Sequence, residues 1–320
     1  MDLIEGLAQQ LLQGDRLALA KAVTLIESQA EKDETAKLSL LKELKGNNAS
    51  LRIAISGPPG VGKSTFINVF GQKLVNRGHR VAVLPIDPSS TINLGSILGD
   101  KARMPELMSH ESVFIRPSPS RGVLGGVASS THDVILAAET NGFDIIIIET
   151  VGIGQSESTA RVLSDFFIML MQPGAGDQVQ AMKKGVLELV DAILITKADQ
   201  EQESLANKTK DSLKALTLGQ GTKLPYIDAV SSITDRGIKE ATAHVLSCHH
   251  QWIKTRALAS MRAKRREEYF KRALVEQLAL TIARKLFSSK CPVNISPGPE
   301  DMSLTPDIYG LVEKYCARLN

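Results

Sequence analysis

The stretch that decides the fold is GPPGVGKS, residues 57–64, which follows the apolar run LRIAIS and precedes a segment of helical composition. It fits the pattern G-x-x-x-x-G-K-[ST], in which glycines let successive backbone N–H groups converge on a phosphate. The following helix N-terminus, the ammonium of Lys63 and the hydroxyl of Ser64 would complete a site for nucleotide phosphates and Mg²⁺. The residues that we assign to nucleotide binding here are Gly57, Pro59, Gly60, Val61, Gly62, Lys63, Ser64 and Thr65.

Outward from this loop, apolar strand-like runs alternate with helical segments between residues 51 and 230. Runs that are apolar on both faces are typical of buried parallel strands, and their alternation with helices indicates a doubly wound α/β fold with a mostly parallel sheet. The runs are LRIAIS, RVAVLPID, SVFIRP, FDIIIIET, DFFIMLM, DAILITKAD and LPYIDAVSS. We predict a phosphate-loop domain over 49–250, an N-terminal helical extension over 1–48 and a C-terminal helical arm over 251–320.

Both extensions have helical sequence patterns, and the C-terminal one is strongly basic. In the N-terminal one, Asp15 is a candidate N-cap for a second helix. The C-terminal one has ten Lys or Arg against three acids between Gln251 and Ser288, with no Pro or Gly, which predicts one or two long helices. This basic run is compatible with a solvated face, and also with an arm for dimerisation or for a partner.

Composition excludes several classes of protein. The chain has 320 residues, 43% of them hydrophobic, and no apolar run near the ~18 residues of a membrane span. Three widely spaced cysteines make no CxxC pair, which disfavours a disulfide framework and a thiolate metal site. A net charge of +3 is weak evidence for nucleic-acid binding. We therefore expect a cytoplasmic protein without a membrane or nucleic-acid partner, its acidic amphipathic N-terminus being unlike a signal peptide.

A carboxylate that could organise the metal lies at the end of the run FDIIIIE. Glu149 is followed by Thr-Val-Gly, which resembles the D-x-x-G switch of GTPases with Glu in place of Asp, so that the N–H of Gly152 could meet the γ-phosphate. Two further carboxylates, Asp87 and Asp100, lie in the expected switch region, although each could instead be a helix cap.

The run ILITKAD, residues 193–199, ends in a Lys-x-Asp pattern that is typical of guanine recognition. The carboxylate of Asp199 would accept from N1–H and N2–H of guanine, which adenine cannot offer, while the stem of Lys197 packs over the ring. Thr196 stands where Asn is usual, so it offers a hydroxyl near the phosphate loop but no amide. We expect the preference for GTP to be kept and the affinity to fall by about one hydrogen bond, ~0.5–1.5 kcal/mol.

A second loop could complete the base site. Ser231 and Ser232 follow the last core run and resemble the segment whose backbone N–H meets guanine O6. An ordinary turn at the end of a strand would give the same pattern.

The motifs together resemble those of the MeaB/ArgK-type GTPases, relatives of the mitochondrial protein that serves methylmalonyl-CoA mutase. The similarity extends over nearly the whole chain. The motifs, in chain order, are GPPGVGKST, IDPSST, GSILGDKARM, FIRPSPSRGVLGGVA, ETVGIGQSE, PGAGDQVQAMKKG and TKAD.

This resemblance implies a homodimeric GTPase that binds GTP or GDP with Mg²⁺ and gates adenosylcobalamin delivery to an acyl-CoA mutase. It also implies that the GTPase protects the mutase and is stimulated by it. In such proteins the metal shell draws on residues that match Ser64, Asp87, Asp100 and Glu149. A mobile switch corresponds to GDQVQAMKKG, in which Lys183 is the residue that responds to the nucleotide.

The chain lacks the water-orienting Gln that Ras-like enzymes carry directly after the switch glycine, because Ile153 occupies that position. We therefore expect slow intrinsic hydrolysis. A partner that brings Lys183, Gln155, Arg103 or Arg121 to the γ-phosphate could supply the missing stabilisation, although each could equally be a solvated side chain.

Three function classes follow from these motifs. The first is a GTPase that acts as a cofactor-loading chaperone. The second is an ATP-dependent kinase or ATPase linked to lysine, arginine and ornithine transport, against which the Lys-x-Asp pattern argues. The third is a metal-insertion GTPase, which normally needs clustered His or Cys ligands. Preference for GTP over ATP separates the first from the second, and metal binding separates the first from the third.

Overall fold

The computed structural model describes residues 3–28, 30–47, 49–86, 104–116, 126–150, 156–175, 189–218 and 224–286. The chain divides into two compact units, Met1–Ala273 and Leu274–Asn320. In the second unit the structure describes only 274–286, which is the end of the last helix. None of the described helices combines the length and apolar character needed to cross a bilayer.

The sheet is built from the apolar runs that the sequence indicated. The strands are β1 (Leu51–Ser56), β2 (Val81–Ile86), β3 (Val113–Ile115), β4 (Ile145–Thr150), β5 (Phe166–Met171), β6 (Ala192–Ile195) and β7 (Tyr226–Ala229). They form one seven-stranded sheet in the order β3-β2-β4-β1-β5-β6-β7. Every pair of neighbours is parallel. The predicted doubly wound parallel sheet is therefore confirmed.

Helices connect and flank these strands. They are α1 (Leu3–Leu12), α2 (Arg16–Glu27), α3 (Glu31–Glu43), α4 (Lys63–Val75), α5 (Pro105–Met108), α6 (Gly126–Thr140), α7 (Ser156–Leu163), α8 (Glu203–Leu218), α9 (Ile238–Lys254) and α10 (Ala257–Leu286), with a 3₁₀ turn at Gln200–Gln202. Buried side chains lie on both faces of the sheet, as a sheet with helices on both sides requires.

The register of β1 with its two neighbours positions the site. Ile55 of β1 lies opposite Glu149 of β4, and Ser56 lies opposite Met169 of β5. Since the carboxyl ends of parallel strands lie at one edge of the sheet, the residues that follow β1, β5 and β6 lie at the same edge as Glu149 and Thr150, the last residues of β4.

The N-terminal helices belong to the same compact unit as the sheet and pack against it. Leu19 and Ile26 of α2 lie in a buried cluster with Ile146 of β4. Asp15 caps α2, its Oδ1 accepting from the N–H of Leu17 at 2.8 Å, as predicted. The side chain of Asn141 donates to the carbonyls of Leu11 at 3.1 Å and Asp15 at 2.9 Å, which ties the α1–α2 turn to the end of α6. The domain boundaries near residues 48 and 250 stay a prediction.

The first half of the basic run is not uniformly solvated. Arg262 of α10 binds both carboxylate oxygens of Asp165, at 2.8 and 2.5 Å, and donates to the carbonyl of Ser50 at 2.7 Å. Arg265 donates to the carbonyl of Ser164. Other basic residues of the run are exposed, including Lys254, Lys264, Arg266 and Lys271. Arg262 and Arg265 therefore attach α10 to the amino ends of the strands, whereas Lys254, Lys264, Arg266 and Lys271 face solvent.

Candidate nucleotide site

The phosphate loop needs glycine at three positions. Gly60 and Gly62 have φ angles of +74° and +95°, in the left-handed region that side chains disfavour. At Gly57, a Cβ would lie 2.6 Å from the carbonyl oxygen of Leu170 on β5. The spacing of glycines in the motif therefore reflects two backbone turns and one close approach between neighbouring strands.

A buried apolar floor supports this loop and the helix after it. Val61 is fully buried and packs in one cluster with Phe66, Phe70 and Leu170. The rings of Phe66 and Phe70 stack with centroids 5.3 Å apart. This packing holds the start of α4, whose first-turn N–H groups and dipole favour an anion.

Lys63 lies within the loop and hydrogen-bonds its own backbone. Its Nζ donates to the carbonyls of Gly57 at 2.7 Å and Pro58 at 3.2 Å. Burial lowers the pKa of the ammonium, and the nearby carboxylate of Glu149 opposes that shift. An anionic phosphate would favour the charged form far more than two carbonyls do, so this cation suits a phosphate ligand.

Two of the four predicted metal ligands are described, and the structure brings them together. The hydroxyl of Ser64 lies 3.3 Å from Oε1 of Glu149, which is buried at the end of β4. Hydroxyl and carboxylate oxygens are the ligands that Mg²⁺ prefers, so this pair fits the ion. Asp87 and Asp100 lie outside the described residues. Among the described residues, no three His, Cys, Asp or Glu side chains form a group that could hold a metal.

Asp199 is oriented by a hydroxyl from the loop after β7. Ser231 donates its O–H to Oδ2 of Asp199 at 2.6 Å, and its Oγ accepts from the N–H groups of Ile233 and Thr234. The backbone N–H of Ser231 donates to the carbonyl of Arg236 at 3.0 Å. In this arrangement Ser231 positions the carboxylate, and the neighbouring Ser232 is the candidate for a backbone contact with guanine O6.

Thr196 connects the base-reading motif to the phosphate loop. Its buried Oγ1 lies 2.7 Å from the carbonyl oxygen of Val61 and 3.1 Å from that of Met171. Its backbone N–H also donates to Met171 at 2.9 Å. Lys197, next in the chain, is exposed with a φ of +56°. The hydroxyl therefore lies near the phosphate loop, as expected from the sequence.

The positions of several predicted site residues cannot be compared with the structure. Gly152, Gln155 and Lys183 lie outside the described residues, as do Arg103 and Arg121. The sequence did not indicate that the backbone N–H of Ser231 donates to the carbonyl of Arg236. No motif signals this bond, because it depends on the turn that leads into α9.

A family model and several known proteins match most of this chain. The family described as "Methylmalonyl Co-A mutase-associated GTPase MeaB" matches residues 19–286. A Caulobacter vibrioides protein named as a GTPase is 44% identical over 264 residues, 81% of each chain. The Mus musculus methylmalonic aciduria type A homolog, a mitochondrial protein, is 39% identical over 274 residues, covering 81% of this chain and 66% of that protein.

One solved structure matches nearly the whole fold. The crystal structure of a LAO/AO transport system kinase has a TM-score of 0.72 and 26% identity, covering 98% of this chain and 99% of that one. The phosphate loop, the guanine-reading pattern and these similarities lead to one conclusion. The chain belongs to the MeaB family of P-loop GTPases.

Proposed function

We propose that this GTPase is a chaperone that gates adenosylcobalamin loading into methylmalonyl-CoA mutase, or a related acyl-CoA mutase, and protects that enzyme. The observation that carries the proposal is the match over residues 19–286 to a family described by its association with methylmalonyl-CoA mutase. A phosphate loop joined through Thr196 to a guanine-reading Asp199 supports it, because a nucleotide-gated chaperone needs such a site.

In this proposal, the loop from Gly57 to Thr65 holds the phosphates of GTP or GDP, and Lys63 exchanges its backbone carbonyls for phosphate oxygens. Asp199, oriented by Ser231, selects guanine, while Thr196 keeps the base-reading segment attached to the phosphate loop. Lys197 would cover the base, and Ser232 would offer its N–H.

We assign Mg²⁺ binding to Ser64 and Glu149, together with Asp87 and Asp100. The ion would offset negative charge on the phosphate oxygens during hydrolysis. The N–H of Gly152 is proposed to meet the γ-phosphate, and Lys183 is proposed to complete the site in response to the mutase. The role of Gly152 rests on its place in the sequence after Glu149, and the role of Lys183 rests on the family resemblance, since Gly152 and Lys183 lie outside the described part of the chain.

We further propose that the chain forms a homodimer through its C-terminal arm. Helix α10 exposes the large apolar side chain of Phe270 (63%), which a second copy could cover. The oligomeric state in solution, measured by light scattering for the wild type and for Phe270→Asp, tests this. A monomeric wild type would contradict it.

The transport-linked kinase is the second candidate, because the similar solved structure, with a TM-score of 0.72, is that of a LAO/AO transport system kinase. Asp199 favours the GTPase, since its carboxylate matches the donors of guanine and finds no such pair on adenine. Hydrolysis of GTP against ATP separates the two candidates.

The decisive experiment measures single-turnover GTP hydrolysis with and without a cobalamin-dependent acyl-CoA mutase. We expect slow hydrolysis alone and an increase of at least ~10-fold with the cognate mutase, which corresponds to about 1.4 kcal/mol of barrier. Lys183→Ala should lose this increase and keep most of its basal rate, whereas the matched Lys184→Ala should respond like the wild type. Equal responses from both variants would remove Lys183 from the mechanism, and no response from the wild type would contradict the proposed partner.

A further inference from the structure

Gln172, the first residue after β5, has no role in the motifs discussed above. Along β5, alternate residues face opposite sides of the sheet. Ile168 and Leu170 lie in the cluster that contains Val61 and Phe66, beneath the phosphate loop. The residues of the other face, which pack in a separate cluster, are Phe167, Met169 and Met171. Continued alternation puts Gln172 on the side of the phosphate loop.

Distances from the phosphate loop agree with this placement. A Cβ on Gly57 would lie 2.6 Å from the carbonyl oxygen of Leu170, and a Cβ on Gly60 would lie 3.8 Å from Nε2 of Gln172. The chain after β5 therefore follows the loop, with Leu170 opposite Gly57 and Gln172 opposite Gly60. The side chain that faces the loop changes from apolar to amide where the strand ends.

The backbone around Gln172 is held at two points. The carbonyl of Met171 accepts the N–H of Thr196 at 2.9 Å and lies 3.1 Å from its hydroxyl. On the other side, the N–H of Gly174 donates at 3.0 Å to Oγ1 of Thr209, whose own O–H donates to the carbonyl of Leu205. The base-reading motif and α8 therefore fix the position from which Gln172 extends.

The chemistry of the side chain suits an anionic ligand. A glutamine amide offers two N–H donors without a charge, and this one lies half-buried beside a loop built to hold phosphate. We propose that Gln172 is a further nucleotide-binding residue, whose amide donates to a phosphate oxygen of the nucleotide bound in the loop. The proposal concerns nucleotide binding and does not depend on the mutase.

Calorimetry of GDP and a non-hydrolysable GTP analogue tests the proposal in two variants of the full chain. Gln172→Glu puts a carboxylate of nearly the same shape beside the phosphates and should weaken binding of the GTP analogue by at least ~10-fold, less so at high salt. Gln172→Met removes the amide donors without adding charge. It should weaken binding of the GTP analogue by ~3- to 10-fold, with little dependence on salt. Gln72→Glu is the matched control, since this half-buried glutamine lies nine residues along α4 from Lys63.

The control should bind both nucleotides like the wild type. Affinities of Gln172→Glu within twofold of the wild type would overturn the proposal, and so would equal losses in Gln172→Glu and Gln72→Glu. If Gln172→Glu does not fold, Gln172→Met decides in the same way, because its unchanged affinity would show that the amide makes no contact with the nucleotide.

Discussion

Polar side chains are paired differently at the two ends of the parallel strands. We call these ends the carboxyl edge, where the strands end, and the amino edge, where they begin. At the carboxyl edge, Lys63 donates to backbone carbonyls and Asp199 accepts from a hydroxyl, and both residues belong to the proposed nucleotide site. At the amino edge, ionised side chains are paired with one another. There Arg52 binds Glu139 through Nε and Nη2, at 2.7 and 2.9 Å, and Arg161 lies 2.5 Å from Asp191.

The pair of Arg262 and Asp165 shows the difference most clearly. Asp165 is 1% exposed and also accepts from the N–H of Arg52 at 2.9 Å, so that its carboxylate is held by α10 and by β1. Removing one partner of such a buried pair is strongly destabilising, because the other charge stays buried without compensation, and a carboxylate satisfied in this way has little capacity left for a ligand. A charge with weak local partners can exchange them for a ligand. The comparison predicts that substitutions at the amino edge affect folding, whereas those at the carboxyl edge affect binding and catalysis.

The largest effect is expected at Asp165. Asp165→Ala leaves the guanidinium of Arg262 buried without its carboxylate, which should lower the free energy of unfolding by ~3–5 kcal/mol. Denaturant titration measures this loss, and the folded fraction should bind GDP like the wild type. Lys271→Ala is the control, since its pair with Glu267 is exposed (71% and 67%) and should contribute less than ~1 kcal/mol. Similar losses in the two variants would refute the contrast between the edges.

At the carboxyl edge, Glu149 should matter for hydrolysis more than for binding. Glu149→Ala should lower the rate of GTP hydrolysis by at least ~100-fold, about 2.7 kcal/mol, because the charge that the metal offsets develops in the transition state. Affinity for GDP, measured by calorimetry, should change far less. Glu149→Gln keeps the shape without the charge and should behave similarly. Parallel loss of GDP binding and hydrolysis would indicate a folding defect instead.

A smaller effect, on the affinity for GTP, is expected from a substitution of Asp199. Asp199→Asn presents an amide donor where guanine N1–H also donates, so GTP affinity should fall by at least ~10-fold, or about 1.4 kcal/mol, and preference should shift to xanthine nucleotides. Nucleotide titrations measure both effects. Asp211→Asn, at an exposed position on α8, is the control. A variant at Asp199 that kept full GTP affinity would show that the base binds elsewhere.

The smallest effect concerns pH at the amino edge. Burial lowers the pKa of His249 below its ordinary 6.5, although Asp165 opposes this, while His250 and Arg262 act in the same direction as burial. The folded chain therefore favours neutral His249, and stability is lost as pH falls below 6.5, by at most ~1.4 kcal/mol per pH unit. Unfolding titrations between pH 7 and 5 should show this slope weakened in His249→Gln and kept in the exposed control His250→Gln. An unchanged slope in His249→Gln would contradict the assignment.

The sequence motifs at the carboxyl edge could be recognised because their signals are local. The phosphate loop occupies residues 57–64, and two of its glycines, Gly60 and Gly62, meet conformational demands that arise within the motif itself. The strands could be recognised because parallel strands buried on both faces are apolar throughout. Asp15 could be recognised as a cap because it accepts from an N–H only two residues away.

The amino edge could not be predicted, because its partners are distant in the chain. Arg52 and Glu139 are 87 residues apart, and Asp165 and Arg262 are 97 apart. In the sequence, Arg262 is one of many cations in a basic run, and nothing near it indicates that it is buried. The same holds for Gln172, whose proximity to Gly60 follows from the placement of β5 beside β1.

The sequence by itself determined the parallel α/β architecture, the phosphate loop and the guanine-reading pattern, since each depends on residue types at short spacing. Only the tertiary structure decided which charges are paired, how the N-terminal helices and α10 attach, and that Ser231 orients Asp199. The physical reason is that strand order brings distant segments together, and the partners available after that step decide whether a polar side chain stabilises the fold or binds a ligand.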